Sequence, residues 1–376
     1  MSGSIIMTGV TGDATLARLI QDSATVRSRL DSFTNQASTG LVGDTYAGLG
    51  TSASVSLDLR PQIANLQTWQ NNVDAATGRM GVAQSSLTQI QSIAANFYAQ
   101  LNNVQGVNVS AVDSIAASAR DALNQVANLL DTQDGGVYVF AGQDTANPPV
   151  PNPGNILTSG FYTQISAAVG GLAVNGAAAT ATATYTVATS NAAGTSPFSV
   201  WLSQPSAVLQ AKPPVVQVGQ NQTEPVGIPA SANGLIPESV SSGNTIIGGP
   251  PSTTGSYMRD VLRALATIGS LSSAQASGPG FQDLVQDTRV SLSAAVGAMA
   301  QDAGVLGNMQ SSLTATQTRL GDTQTALTGQ VSSAEDVDMA ATLSQLSLVQ
   351  TQLQSSYQLI ATLSGLSLAK FLPVGA

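Results

Sequence analysis

The chain of 376 residues has no cysteine, no histidine and only two lysines, Lys212 and Lys370. Without cysteine there are no disulfides, thiolate nucleophiles or thiolate-ligated zinc. Without histidine the commonest general base and the imidazole metal ligands are gone as well. Charged residues make up 9% of the chain, far below the roughly 25% usual in globular proteins. A net charge of −9 with no basic run excludes a nucleic-acid footprint. No apolar stretch approaches the ~20 residues that span a bilayer, so no membrane partner is expected. Met1 to Gly12 has neither a basic n-region nor a small-residue cleavage site and does not read as a secretory signal. If the protein is secreted, it needs another route. A thiol-free chain suits one that travels unfolded and assembles outside the cell.

What the chain does have is helical periodicity at both ends. Leu16, Leu19, Val26, Leu30, Phe33 and Ala37 fall on alternating three- and four-residue steps, with Ser23 in the one polar slot. That is a heptad seam, and these residues are the candidate N-terminal assembly seam. Gly40 is the expected helix stop. A second seam runs Leu59, Ile63, Leu66, Val73, Met80 and Leu87, then shifts register to Ile90, Ala94, Phe97, Leu101 and Val104. A break near Gly106 separates it from a helix carrying Val112 to Leu130.

The middle differs. Thirteen of the 16 prolines lie between Pro148 and Pro251, which excludes long uninterrupted helices. Ala179 to Val187 alternates small apolar residues with threonine at period two, which predicts a strand; Phe198–Leu202 and Val215–Val218 do so more weakly. From Tyr257 the helical pattern resumes. Gln310, Gln317 and Gln324 hold one seam position while leucines hold the other, either as register-setting polar residues or at the edge of a wide seam. Ser332 and Glu335 have capping-box spacing, which predicts that the last helix opens there. That helix supplies the candidate C-terminal assembly seam: Leu343, Leu346, Val349, Leu353, Tyr357, Ile360, Leu363 and Leu368.

The expected fold is mainly α with a β-rich insert, the N- and C-terminal helices pairing in an elongated bundle or coiled coil. Expected boundaries are 1–141 (N-terminal helical), 142–256 (central β-rich) and 257–376 (C-terminal helical). No catalytic residue, cofactor or metal site is expected. Glu335, Asp336 and Asp338 read as capping and helix-dipole groups rather than metal ligands. Asp131 and Asp134 read as a helix end entering a turn rather than an acid pair. Ser/Lys catalysis would need a lysine in a formed pocket; Lys212 sits beside Pro213-Pro214 and Lys370 near the end of the sequence, so neither reads as catalytic. Trp69 and Trp201 read as packing residues, with Trp69 also placed to touch a neighbouring subunit.

Three stretches carry a family resemblance. Gln36-Ala37-Ser38-Thr39-Gly40 resembles the Leu-Ser-Thr-Gly signature that ends the first helix of the flagellin superfamily. Gly135-Gly136-Val137-Tyr138-Val139-Phe140-Ala141-Gly142 is similar to the Gly-x-Tyr-x-Phe-x-Gly segment of that superfamily's hook–filament junction branch, the hook-associated proteins of type 3. Glu335-Asp336-Val337-Asp338 and the ending Leu366-Ser367-Leu368-Ala369-Lys370-Phe371-Leu372 also resemble that branch more than flagellin. The chain departs from the superfamily after Gly40, where Val42-Gly43-Asp44-Thr45-Tyr46 replaces the usual Ser/Asp-Asp-Pro segment.

The resemblance implies an extracellular flagellar subunit, exported by the flagellar type III apparatus with a chaperone on its C-terminal helix. It implies a ring of copies between the type 1 hook-associated protein and flagellin. The residues alone leave other readings open: flagellin itself, a secreted adhesin with a β binding insert, or an ordinary monomeric bundle.

Overall fold

The computed structural model describes residues 9–104, 109–233 and 246–369. Nine helices are found among them: α1 (Gly9–Thr39), α2 (Ala53–Val104), α3 (Val109–Leu130), α4 (Gly160–Gly170), α5 (Leu172–Thr189), α6 (Ser206–Gln210), α7 (Tyr257–Gly269), α8 (Phe281–Glu335) and α9 (Met339–Ala369). Among the described residues, strands are confined to two small antiparallel pairs. These are β1 (Gln133–Asp134) with β2 (Val137–Tyr138), and β3 (Val215–Gln217) with β4 (Thr223–Pro225). The fold is mainly α. The expected break near Gly106 falls at 105–108, outside the described residues.

The chain forms two compact units. One comprises Met1–Gln67 with Asp322–Ala376, the other Thr68–Gly321. In the first, α1 packs along α9. Their directions are opposed, because the end of α1 is stitched to the start of α9. Leu41 and Asp336 form an antiparallel bridge, Val42 N donates to Glu335 O at 2.7 Å, and Val337 N donates to Gly40 O at 2.9 Å.

The second unit holds the large core. Val73, Met80, Leu87, Ile90, Ala94, Phe97 and Leu101 of α2 are buried, as are Leu292, Met299, Leu306, Leu313 and Leu320 of α8. Gln310 and Gln317 are half-buried at its margin, and Gln317 Nε2 donates to Asp74 Oδ1 at 2.9 Å; Gln324, in the other unit, is half-buried and donates to Gln67 Oε1 at 3.0 Å. At the centre lies α7, all thirteen of whose residues are buried, in contact with α3, α4 and α5. One of its charges is matched by an opposite one inside. The Arg263 guanidinium meets Asp287 at 3.2 Å, with side chains only 3% and 4% exposed, and Ser252 Oγ donates to the same carboxylate at 2.5 Å. The carbonyl of Gly269, at the end of α7, accepts from Arg120 Nη1 (2.6 Å) and Tyr162 OH (3.1 Å).

The segment expected to be β-rich carries more helix than strand, with turns and irregular chain between, and shares this unit with α3 and α7. Ala179 to Val187 lies inside α5, not in a strand. Alanine is the best helix former, and threonine hydroxyls can bond back to the preceding turn. Thr182 Oγ1 donates to Ala178 O and Thr186 Oγ1 to Thr182 O, both at 2.8 Å. The buried positions Ala177, Thr180, Ala181, Thr184, Val187 and Ala188 follow helical spacing beneath the period-two alternation. Prolines fence this stretch without entering it, since none lies between Pro153 and Pro197. Phe198–Leu202 forms turns, and of the predicted strands only Val215–Gln217 is one.

The turn after α3 is set by glycine. Gln133 pairs with Tyr138 and Asp134 with Val137, so Gly135 and Gly136 form a two-residue hairpin loop with φ of 58° and 82°. Such loops need positive φ at both positions. The hairpin leads into Phe140, which is 1% exposed.

Candidate assembly surface

The unit formed by the two chain ends has almost no core of its own. Among its described residues, the buried apolar side chains are Leu49, Leu66, Val331 and Val349. Along α9, Leu346, Leu353 and Ile360 are half-buried and Val349 is buried, a run of three- and four-residue steps facing α1. Along α1, Leu19, Val26, Leu30 and Phe33 are half-buried in the same rhythm. Ser23, the polar slot, is buried and donates its hydroxyl to Ile20 O at 2.8 Å. The structure therefore brings Leu19, Val26, Leu30 and Phe33 to one helix pair with Leu346, Val349, Leu353 and Ile360. The side chains of Leu16, Leu363 and Leu368 lie outside the described residues.

Two seam candidates behave differently. Leu343 is 52% exposed and Tyr357 49% exposed. At 100° per residue they lie on one side of the α9 stripe that faces α1, together with Met339. Leu348 and Leu359, also about half-exposed, flank the stripe on the other side. On α1 and the start of α2, Ile20, Val55 and Leu57 are exposed too. Isolated exposed apolar side chains are ordinary, but a helix with a covered stripe and two apolar flanks is shaped for further neighbours.

One charged cluster on this unit is well defined. Glu335, one of three glutamates in the chain, closes α8 with its side chain 11% exposed. It accepts from Ser56 Oγ and from Arg60, whose Nε lies at 2.9 Å and Nη2 at 2.5 Å. Hydrogen bonds from Arg60, then Ser56, hold the carboxyl below its ordinary pKa, and the same pair raises that of Arg60. The ion pair therefore clamps the start of α2 to the end of α8. Leu41, Gly43, Tyr46 and Leu49 join it in lining a cleft of about 420 Å³.

This corrects the expected start of the last helix. Ser332 and Glu335 belong to the final turn of α8, and Ser332 Oγ donates to Asp336. Asp338 caps α9, its Oδ1 accepting from Ala340 N at 2.9 Å and Ala341 N at 3.1 Å. Sequence reading missed the Arg60–Glu335 clamp, because its partners lie on different seams. The scarcity of glutamate was the only available signal. Among the described residues no group of three or more carboxylates is arranged to hold a metal ion, and no helix is long and apolar enough to cross a membrane.

Residues 18–145 match the family model of the bacterial flagellin N-terminal helical region, and residues 291–372 that of the C-terminal helical region. Together these matches cover more than half of the chain. The chain belongs to the flagellin superfamily. No curated protein matches it. The superfamily is a structural, non-catalytic one, and as a member the chain is a structural subunit of the bacterial flagellum, an extracellular polymer. The α1–α9 pair lies largely within the matched segments, as does the hairpin after α3.

Proposed function

We propose that this subunit forms the ring joining hook to filament, as a hook-associated protein of type 3. It would be exported without a cleaved signal peptide by the flagellar type III apparatus, with a chaperone on α9. Its neighbours would be its own copies, the type 1 hook-associated protein and flagellin. The observation that carries an assembly role is the near-absence of a core in the terminal unit beside the apolar flanks of α9. A unit so poor in buried apolar surface gains its stability when neighbours cover it. The junction role in particular rests on the Glu335-Asp336-Val337-Asp338 segment and the Leu366–Leu372 ending. Both resemble the junction branch.

Flagellin is the second reading, favoured by the two helical-region matches. A strain deleted for the gene separates the two by electron microscopy. The junction role predicts hooks without filaments while flagellin is still secreted into the medium. Normal filaments on that strain overturn it.

A further inference from the structure

Arg259, on the first turn of α7, is a buried cation whose hydrogen-bonded partners are all neutral. The residue is 8% exposed. Its Nε donates to Ser231 O at 3.3 Å, its Nη1 to Ala188 O at 2.8 Å and Ser190 O at 3.4 Å, and its Nη2 to Asn191 Oδ1 at 2.8 Å. The guanidinium also lies 5.3 Å from the centroid of the Phe198 ring. One turn further on, Arg263 is handled in the opposite way, against the carboxylate of Asp287. The adjacent Asp260 contributes charge but no hydrogen bond to Arg259; its Oδ1 accepts from Thr254 N at 2.8 Å. A desolvated cation without a contacting anion is costly, and burial lowers the Arg259 pKa accordingly.

This guanidinium forms part of the wall of a cavity of about 180 Å³. The other walls are hydrogen-bonding and neutral, including Asn191, Gln204, Ser206, Gln210 and Thr254, and no carboxylate is among the described residues lining it. Donors are spare here. Arginine has five N–H groups, of which the four bonds above use four. Asn191 spends its oxygen on Arg259, which leaves its Nδ2 hydrogens to donate. A positive wall ringed by amide and hydroxyl donors, with no carboxylate among its lining residues and Asp260 turned to Thr254 N behind it, is the chemistry that recognises an oxyanion. The volume is below the ~300 Å³ at which pockets for drug-sized ligands begin, which favours a small ion.

We propose that this cavity binds a small oxyanion, inorganic phosphate or a short carboxylate, with Arg259 supplying the charge and Asn191, Gln204 and Gln210 the surrounding donors. Binding would tie the end of α5, helix α6 and the start of α7 together.

The test uses the purified full-length chain titrated with sodium phosphate and with sodium acetate, against sodium chloride at matched ionic strength. Thermal unfolding and, for phosphate, the 31P line width of the free ion are followed. The expected result is a saturable rise in unfolding temperature with at least one oxyanion. The ion with the lower half-saturation identifies the preferred class, and phosphate, if preferred, broadens its own 31P line. Because Arg259→Gln can fail to fold, the deciding variants are Gln204→Leu and Gln210→Leu, on the more exposed wall. With circular dichroism unchanged, each is expected to raise the half-saturating concentration about tenfold, the loss of one charge-assisted hydrogen bond. An unsaturable shift equal to that of chloride overturns the proposal. So does a saturable shift that both variants leave in place.

Discussion

Gly43 and Gly48 meet backbone to backbone in the loop between α1 and α2: a methyl group on Gly43 would come within 2.8 Å of the Gly48 Cα and carbonyl carbon. The loop is closed around this contact, with Gly48 N donating to Thr45 O at 2.8 Å. Gly43→Ala therefore forces the backbone apart, at an expected cost of about 1–3 kcal/mol. Gly40→Ala meets nothing within 4 Å and pays only for its φ of 75°, roughly 1 kcal/mol. Native-state proteolysis of the two variants should show faster cutting near residue 45 in Gly43→Ala, and equal rates would contradict the close approach.

The Arg60–Glu335 clamp predicts an acid-sensitive terminal unit. Because Glu335 titrates below its unfolded value, its contribution is complete above the ordinary glutamate pKa and disappears as pH falls through the folded one. Arg60 is 55% exposed on its side chain, so solvent limits the pair to roughly 1 kcal/mol. Amide exchange in residues 50–60 should quicken in Glu335→Gln at pH 7, and the difference from the parent chain should shrink as pH falls below the ordinary glutamate pKa.

A buried carboxyl in the other unit gives the opposite slope. Asp260 is fully buried, and burial raises its pKa to about 7. The unfolded chain releases that proton near pH 4, so stability falls as pH rises from about 4 to about 7, by at most about 1.4 kcal/mol per pH unit for this group. Asp131, raised by burial to about 6, adds the same sense over a narrower window. Asp260→Asn keeps the oxygen that accepts from Thr254 N and should flatten the urea midpoint between pH 5 and 7. An unchanged profile would show that Asp260 is ionised in the folded chain.

Leu343 and Leu359 test the flanks of α9. Aspartate at either position should leave monomer melting within about 0.5 kcal/mol, since both are about half-exposed. The same change at buried Val349 should destabilise the terminal unit by several kcal/mol. Sedimentation under polymerising conditions should show that the two flank variants fail to assemble; assembly at the wild-type rate would remove the flanks from the interface.

The terminal helices were legible because their seams repeat over many turns, and even the polar slot at Ser23 proved buried and self-satisfied. The middle was not, because small residues carry weak periodicity: Ala179 to Val187 fits period two in sequence while burying itself at helical spacing. The boundary between α8 and α9 was misplaced by six residues, Ser332 in place of Asp338 as the cap, for a related reason. Glu335 was read as serving its own helix, whereas it serves Arg60, and no local pattern distinguishes those uses. Of the candidate surface, the stripe facing α1 could be read from spacing. The exposure of Leu343 and Tyr357 depended on where α1 stops covering α9.

Helix α9 contains no Asp, Glu, Lys or Arg from Met339 to Ala369. A contact built on such a helix has no charges of its own for dissolved salt to screen. Joints held by surface ion pairs would loosen or tighten as the salt around them changed. The face offered by α9 is indifferent to that variable, and its grip varies instead with temperature, as apolar burial does.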